Sequence, residues 1–248
     1  MDSGLYSAYS GLRVNSDVLE VLSNNLANVN TAGFKSDQAF VRVFNNAVNE
    51  SGDTLDRVVN DSAVVEGSYT NFQPGVIRVT GRDLDVALDG RRGFFAVQGP
   101  SGTMYTRNGS FQLDSSGRLI NSEGFEVLGE DGPIQLPPGK VTISKGGEIQ
   151  VDGATAGTLQ VVDFPDERIL EKAGSSMFRV GTAGSAQPMT IDTPVIQGSI
   201  EQSNVNPIHE MMLMINIMRQ FESLQKSIYT LMNTVDDRSI NQVGRVAG

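Results

Sequence analysis

The chain contains no cysteine, no tryptophan and a single histidine, His209. Without cysteine there is no disulfide, no thiolate metal site and no thiol nucleophile, and the chain is compatible with any redox compartment. A glycan-binding or glycan-cleaving site wants exposed aromatic platforms and a pair of carboxylates. Here tryptophan is absent and no carboxylate pair stands out in the spacing. A lone histidine with no cysteine reads as a surface or packing residue. Gly90-Arg91-Arg92-Gly93 is no phosphate-binding loop, because the lysine and the following hydroxyl are missing. Long hydrophobic runs are lacking as well, and no segment approaches the roughly 20 apolar residues that span a bilayer. The first basic residue is Arg13, so the start carries no charged-then-apolar secretory pattern. The sequence alone predicts a cytoplasmic chain, or one exported with its amino terminus uncleaved. Positive charge is in the minority, 19 Lys and Arg against 29 Asp and Glu, for a net charge of −10. Such a chain draws no counterion release from nucleic acid and no attraction from anionic lipid, so neither is an expected partner.

What is present divides into three parts. Leu5, Leu12, Leu19 and Leu26 recur every seventh residue, and Ala8, Asn15, Leu22 and Val29 repeat at an offset of three. This is a heptad stripe with one polar interruption, and it predicts a helix from about Ser3 to Val29, roughly 40 Å long. Asn30-Thr31-Ala32-Gly33 then reads as a stop, with Gly33 suited to a left-handed cap. At the far end, after Pro207, apolar residues fall at Met211, Ile215, Met218, Phe221, Leu224, Ile228, Leu231 and Val235. Their spacing is close to a coiled-coil seam with one local slip. Pro207 suits the first turn of that helix, and Glu201 and Asn204 are upstream cap candidates.

Between the helices the period changes to two. Leu84, Val86 and Leu88 alternate with Asp85, Ala87 and Asp89. Val141 and Ile143 pair naturally with Ile149 and Val151 across Lys145-Gly146-Gly147. Asn-Gly and Asp-Gly steps punctuate the segment, as hairpins require. Asp85 and Asp89 fall on one face with no calcium loop around them, so the expectation is a solvated strand face and a turn. The fold class expected is α+β: N- and C-terminal helices whose heptad stripes suit pairing as a coiled-coil layer, with a central antiparallel β domain. The boundaries read as an N-terminal helix and cap over 1–40, a polar linker or arm over 41–70, a β-rich domain over 71–200 and a C-terminal helix over 201–248. Isolated helices are marginal in water, so each apolar stripe must pair with the other, with the β domain or with other copies of the chain.

Three blocks carry a resemblance. Residues 24–35 read Asn-Asn-Leu-Ala-Asn-Val-Asn-Thr-Ala-Gly-Phe-Lys. A second block runs through Gln73-Pro74-Gly75, Leu84-Asp85-Val86-Ala87, Gly93-Phe94-Phe95 and Tyr105-Thr106-Arg107. The third is Glu201-Gln202-Ser203-Asn204-Val205-Asn206, followed by Glu210-Met211, Arg219, Phe221-Glu222 and Lys226. In order and spacing these resemble the flagellar rod and hook axial protein family. The opening Met1 to Tyr6 and the segment Gly157 to Phe164 look most like a proximal rod member, with the distal rod member the runner-up.

The resemblance implies a non-enzymatic structural subunit of the basal-body rod, crossing the periplasm and transmitting torque as part of a helical shaft. It implies other copies of the chain and other rod proteins as partners, and the flagellar type III export apparatus as the route, with no cleaved signal peptide. No cofactor, metal or small-molecule substrate is expected. The assembly interface is expected at Leu5, Leu12, Leu19, Leu22, Leu26, Asn24, Asn25 and Asn28 of the first helix. On the last helix it is expected at Met211, Ile215, Met218, Phe221, Ile228 and Leu231. The reading from another class is an extracellular glycan-binding β module with oligomerising tails.

Overall fold

The computed structural model describes residues 2–45, 61–100, 102–174, 176–181, 189–190 and 193–246. They form two units, one of Met1–Leu26, Asp37–Tyr69 and Pro207–Gly248, the other of Ala27–Ser36 and Thr70–Asn206. The class is α+β, with the terminal helices in contact and antiparallel sheets between them in the chain.

The first unit contains helix α1, Asp2–Ala27, and helix α2, Pro207–Val246. Proline starts α2 where its missing N–H costs nothing, and Glu210 lies in the first turn, favourably placed at the positive end of the helix dipole. Gly11 lies so near Leu224 that a Cβ added to it would meet Leu224 Cδ1 at 3.2 Å. Asn25 Nδ2 donates to Glu210 Oε2 at 3.5 Å. Advancing along α1 from Gly11 to Asn25 means retreating along α2 from Leu224 to Glu210 by the same number of residues, so the two helices run antiparallel in register. Strands Asp37–Asn45 and Asp61–Thr70 pair as a two-stranded sheet in the same unit. Residues 41–45 and 61–70 of the segment read as a linker or arm are therefore strand, while 46–60 lie outside the described residues.

The second unit is built on strand Phe94–Gly99, paired antiparallel with Gly102–Thr106 on one side and Glu126–Gly129 on the other. Successive side chains of a strand point to opposite faces. Phe95 and Val97 enter one core with Val86, Leu88, Val127 and Ile149, while Phe94 and Ala96 enter a second with Phe72, Phe164 and Phe178. Both faces are covered, which is why Phe-Phe-Ala-Val reads as a continuous apolar run. The second core is aromatic: Phe94 meets Phe72, Phe164 and Phe178 edge-on with centroids 5.8, 6.0 and 5.9 Å apart, a favoured quadrupolar geometry. The hairpin read from the sequence forms in its expected register, Val141 opposite Val151 and Ile143 opposite Ile149.

Asp85 corrects the solvated-face reading. It is fully buried, and its carboxylate accepts from Thr80 Oγ1 at 2.6 Å and from Arg82 Nε at 2.8 Å. Alternation fails here because strand Val86–Leu88 is buried at every position and pairs with Val195–Gln197. Burial alone pushes the Asp85 carboxyl up, but the hydrogen bonds from Arg82 and Thr80 together hold it below 3.8.

Candidate assembly site

The helix pair of the first unit carries a regular seam. From Glu210 to Ile228, the side chains of α2 that are buried or half-buried are Glu210, Met214, Ile217, Phe221, Leu224 and Ile228. Their steps alternate four and three, the period of a coiled coil. On α1 the matching positions are Ala8, Gly11, Asn15, Val18, Leu22 and Asn25, all buried or half-buried. Of the α1 residues expected at an interface, Leu22 and Asn25 lie on this seam. Leu12, Leu19 and Leu26 border it, half-buried; Asn28 is also half-buried and Asn24 exposed. Phe221 and Ile228 lie on the α2 seam, but Met211, Ile215 and Met218 are exposed. The slip read between Met218 and Phe221 is thus a crossing from one stripe to its neighbour. The side chains of Leu5 and Leu231 lie outside the described residues.

Asn25 serves the backbone as well as the seam. Its Oδ1 accepts from Asp37 N at 2.9 Å and its Nδ2 donates to Asp37 O at 2.8 Å, satisfying both polar groups of a strand's first residue. Asn28 closes the end of α1 locally, its carbonyl accepting from Thr31 N at 3.1 Å and its Oδ1 from Thr31 Oγ1 at 3.2 Å.

In the second unit, Ala27–Ser36 is stitched to the sheets. Gly33 adopts φ +66°, and a Cβ there would lie 2.3 Å from Asn108 N, so only glycine fits. Phe34 is buried, with Lys172 Nζ 4.2 Å above its ring centroid. Lys35 Nζ donates to Glu201 Oε1 at 2.6 Å and to Gln73 O at 2.8 Å. Arg107 NH1 donates to Glu201 Oε2 at 3.1 Å and to Gly90 O at 3.0 Å. Gly75 N reaches the same carboxylate at 2.9 Å. The side chains of Lys35, Arg107 and Glu201 are each 1% exposed. Burial pushes both Lys35 and Arg107 below their usual values, and the Glu201 carboxylate opposes that shift. Arg107 Nε finds no hydrogen-bond partner among the described residues.

Glu201 and Asn204 are therefore not caps of α2. Asn204 Oδ1 accepts from Ser36 N, and its Nδ2 donates to Asn71 O and Gln73 O, all within 2.9 Å. Lys35, Arg107, Glu201 and Asn204 stand in three separate blocks of the sequence, where only Glu201 and Asn204 carried a structural expectation, as caps. For the ion cluster the only sequence signal was that a lysine, an arginine and a glutamate sat inside blocks otherwise explained by no local pattern. His209 is exposed, and among the described residues no three His, Cys, Asp or Glu side chains are grouped to hold a metal. Among the described residues no helix is long and apolar enough to cross a membrane. The geometry supplies a helix pair with apolar residues to spare and a rigidly pinned chain segment, which suits assembly rather than bond chemistry.

Three family models match in chain order. Residues 5–35 match a flagella basal body rod protein model, 87–151 a flagellar hook protein FlgE/F/G D1 domain, and 196–239 a flagellar basal body rod FlgEFG protein C-terminal region. The chain is similar to the flagellar basal-body rod protein FlgF of Caulobacter vibrioides, 35% identical over 91% of this chain and 92% of the relative. It is also similar to FlgG of Bacillus subtilis, 33% identical over 91% and 94%. FlgF of Escherichia coli is 33% identical over 96% of both chains.

Proposed function

The chain belongs to the flagellar basal-body rod protein family and is a structural rod subunit, not an enzyme; from that premise we propose that it forms part of the proximal rod. Membership implies assembly with other rod subunits. Its partners are further copies of itself and neighbouring rod proteins, reached after passage through the flagellar type III export apparatus without loss of a signal peptide, and the rod crosses the periplasm. The four segments 1–40, 41–70, 71–200 and 201–248 act as axial helix, arm, β-rich domain and axial helix.

The observation that carries the assembly reading is the surplus of apolar side chains on the helix pair. Met211, Ile215 and Met218 are 47, 51 and 48% exposed although the seam to α1 is already filled. Contiguous exposed apolar stripes on a soluble chain mark interaction sites. Helical repetition of one non-closing contact then makes a shaft. With Leu12, Leu19, Leu26, Asn24 and Asn28, these residues form the assembly interface, while Leu22, Asn25, Phe221 and Ile228 hold the pair that presents it. The proximal position is favoured by the FlgF relative, 35% identical against 33% for the FlgG relative over the same share of this chain.

Immunogold labelling of isolated hook–basal bodies, with an antibody against residues 75–195, tests the position. Label on the short rod near the inner ring is expected. Label further out would move the chain to the distal rod, and absence of label on particles whose antigen is accessible would remove it from the axis.

A further inference from the structure

We infer that residues 198–206 are a strap that closes the β unit last, and that Glu201 is the catch that holds it shut. The inference does not depend on the rod reading.

The strap begins at a turn. Strand Val195–Gln197 pairs with Val86–Leu88, and Val195 lies in the larger core. Gly198 then takes φ +70°, a left-handed conformation that glycine adopts freely. Its carbonyl accepts from Thr80 N at 2.8 Å and Gly81 N at 3.1 Å. Beyond the turn, Ser199–Glu201 pairs antiparallel with Ile77–Val79, which pairs with no other strand among the described residues. Gln202 N extends that ladder to Val76 O at 2.9 Å.

The same few residues hold the segment that follows α1. Glu201 O accepts from Gly33 N at 2.8 Å, Phe34 O from Asn204 N at 3.3 Å, and Asn204 Oδ1 from Ser36 N at 2.8 Å. Asn204 also donates to Asn71 O and Gln73 O, so one amide ties three pieces of chain together. The fit is close. A Cβ on Gly75 would lie 1.9 Å from Gln202 O, so Gly75 admits the strap only because it carries no side chain.

Charge sets the order of closure. Lys35 and Arg107 are buried cations that share the Glu201 carboxylate. Burial pushes Lys35 down, Glu201 opposes the shift, and Arg107 adds to it by repulsion. Glu167 acts on both cations and Asp163 on Arg107, each more weakly than Glu201. While the strap is open, seating Lys35 and Arg107 buries two like charges without the carboxylate that both need. Both cations then gain by staying in water, and residues 33–36 stay out with Lys35. Chain entropy acts in the same direction. Ser36 and Asn204 are 168 residues apart, Lys35 and Glu201 166, and Gly75 and Glu201 126. The sheet bonds from Ile134 N to Val127 O, Leu136 N to Gly117 O and Asp152 N to Lys140 O each close a short loop. Contacts between distant residues carry the larger closure cost and form late. A chain made from its amino end therefore carries an unlatched β unit until the strap itself has been made.

Pulsed hydrogen exchange during refolding of the full-length chain, read by NMR, tests the order. The chain is unfolded too briefly for its prolines to isomerise, because Pro194 and Pro207 flank the strap and would add slow phases of their own. The amides of Ile134, Leu136 and Asp152 are expected to gain protection first. Those of Gly33, Ser36 and Gly75, which donate to the strap, are expected in the last phase. Glu201→Gln is expected to speed unfolding about 100-fold or more while leaving the early refolding phase within about 2-fold of the native chain. Asn204→Ala gives the same pattern with a smaller acceleration, and serves if Glu201→Gln does not fold. Protection of Gly33, Ser36 and Gly75 together with or ahead of the sheet amides would overturn the strap. So would a variant that slows the early phase by as much as it lowers the stability.

Discussion

Replacing Glu201 by glutamine leaves two buried cations without their counter-charge. Glu201 receives Lys35 Nζ at 2.6 Å, Arg107 NH1 at 3.1 Å and Gly75 N at 2.9 Å, and none of the three charged side chains is more than 1% exposed. Glutamine keeps the shape, but one acceptor oxygen becomes an NH2 donor that must face either Lys35 or Arg107, both donors only. Removing one partner of a buried ion pair costs about 3–5 kcal/mol, against a total stability of about 5–15 kcal/mol. At about 2–4 °C per kcal/mol for a chain of this size, Tm falls by roughly 6–20 °C. Urea denaturation of Glu201→Gln and of Glu201→Gln with Lys35→Met measures the loss. The double variant, which removes one of the stranded cations, recovers a large part of it. A loss of about 1 kcal/mol or less, the range of an exposed pair, would refute the idea that this carboxylate neutralises a buried cluster.

Three further outcomes are expected. Gly33→Ala forces a Cβ to 2.3 Å from Asn108 N at φ +66°, and loses about 2–5 kcal/mol from left-handed strain and overpacking, read by thermal unfolding. Asn25→Ala removes the hydrogen bonds to the N–H and C=O of Asp37, costs about 1–3 kcal/mol, and speeds hydrogen exchange at the Asp37 amide. Because the Asp85 carboxyl is held below 3.8, its contribution is complete above that pH and is lost as the pH falls through the lower folded value. The stability gap between the native chain and Asp85→Asn, measured by urea unfolding at a series of pH values, therefore narrows below pH 3.8 and is widest near neutrality.

Local geometry was legible in the sequence. The left-handed Gly33, the Val141–Val151 hairpin, the Pro207 start and the Leu22 stripe each follow from periods and turn residues only a few positions apart. The phase of α2 was harder to read, because apolar residues occupy two adjacent stripes and a single-stripe reading steps from one to the other at Met218. Asp85 was misplaced because alternation assumes one wet face, and strand Val86–Leu88 has none. Lys35, Arg107 and Glu201 could not be joined from sequence, since 166 residues separate the lysine from the carboxylate and 94 separate the arginine from it. A charge in an unexplained block is a hint only when a fold brings its partner near.

Electron cryo-microscopy of the hook–basal body at side-chain resolution tests the central claim, that the paired terminal helices build the wall of the shaft. The account predicts α1 and α2 packed in the shaft wall, with Met211, Ile215 and Met218 covered by a neighbouring subunit. Density leaving that α2 stripe facing solvent in the assembled rod would contradict it.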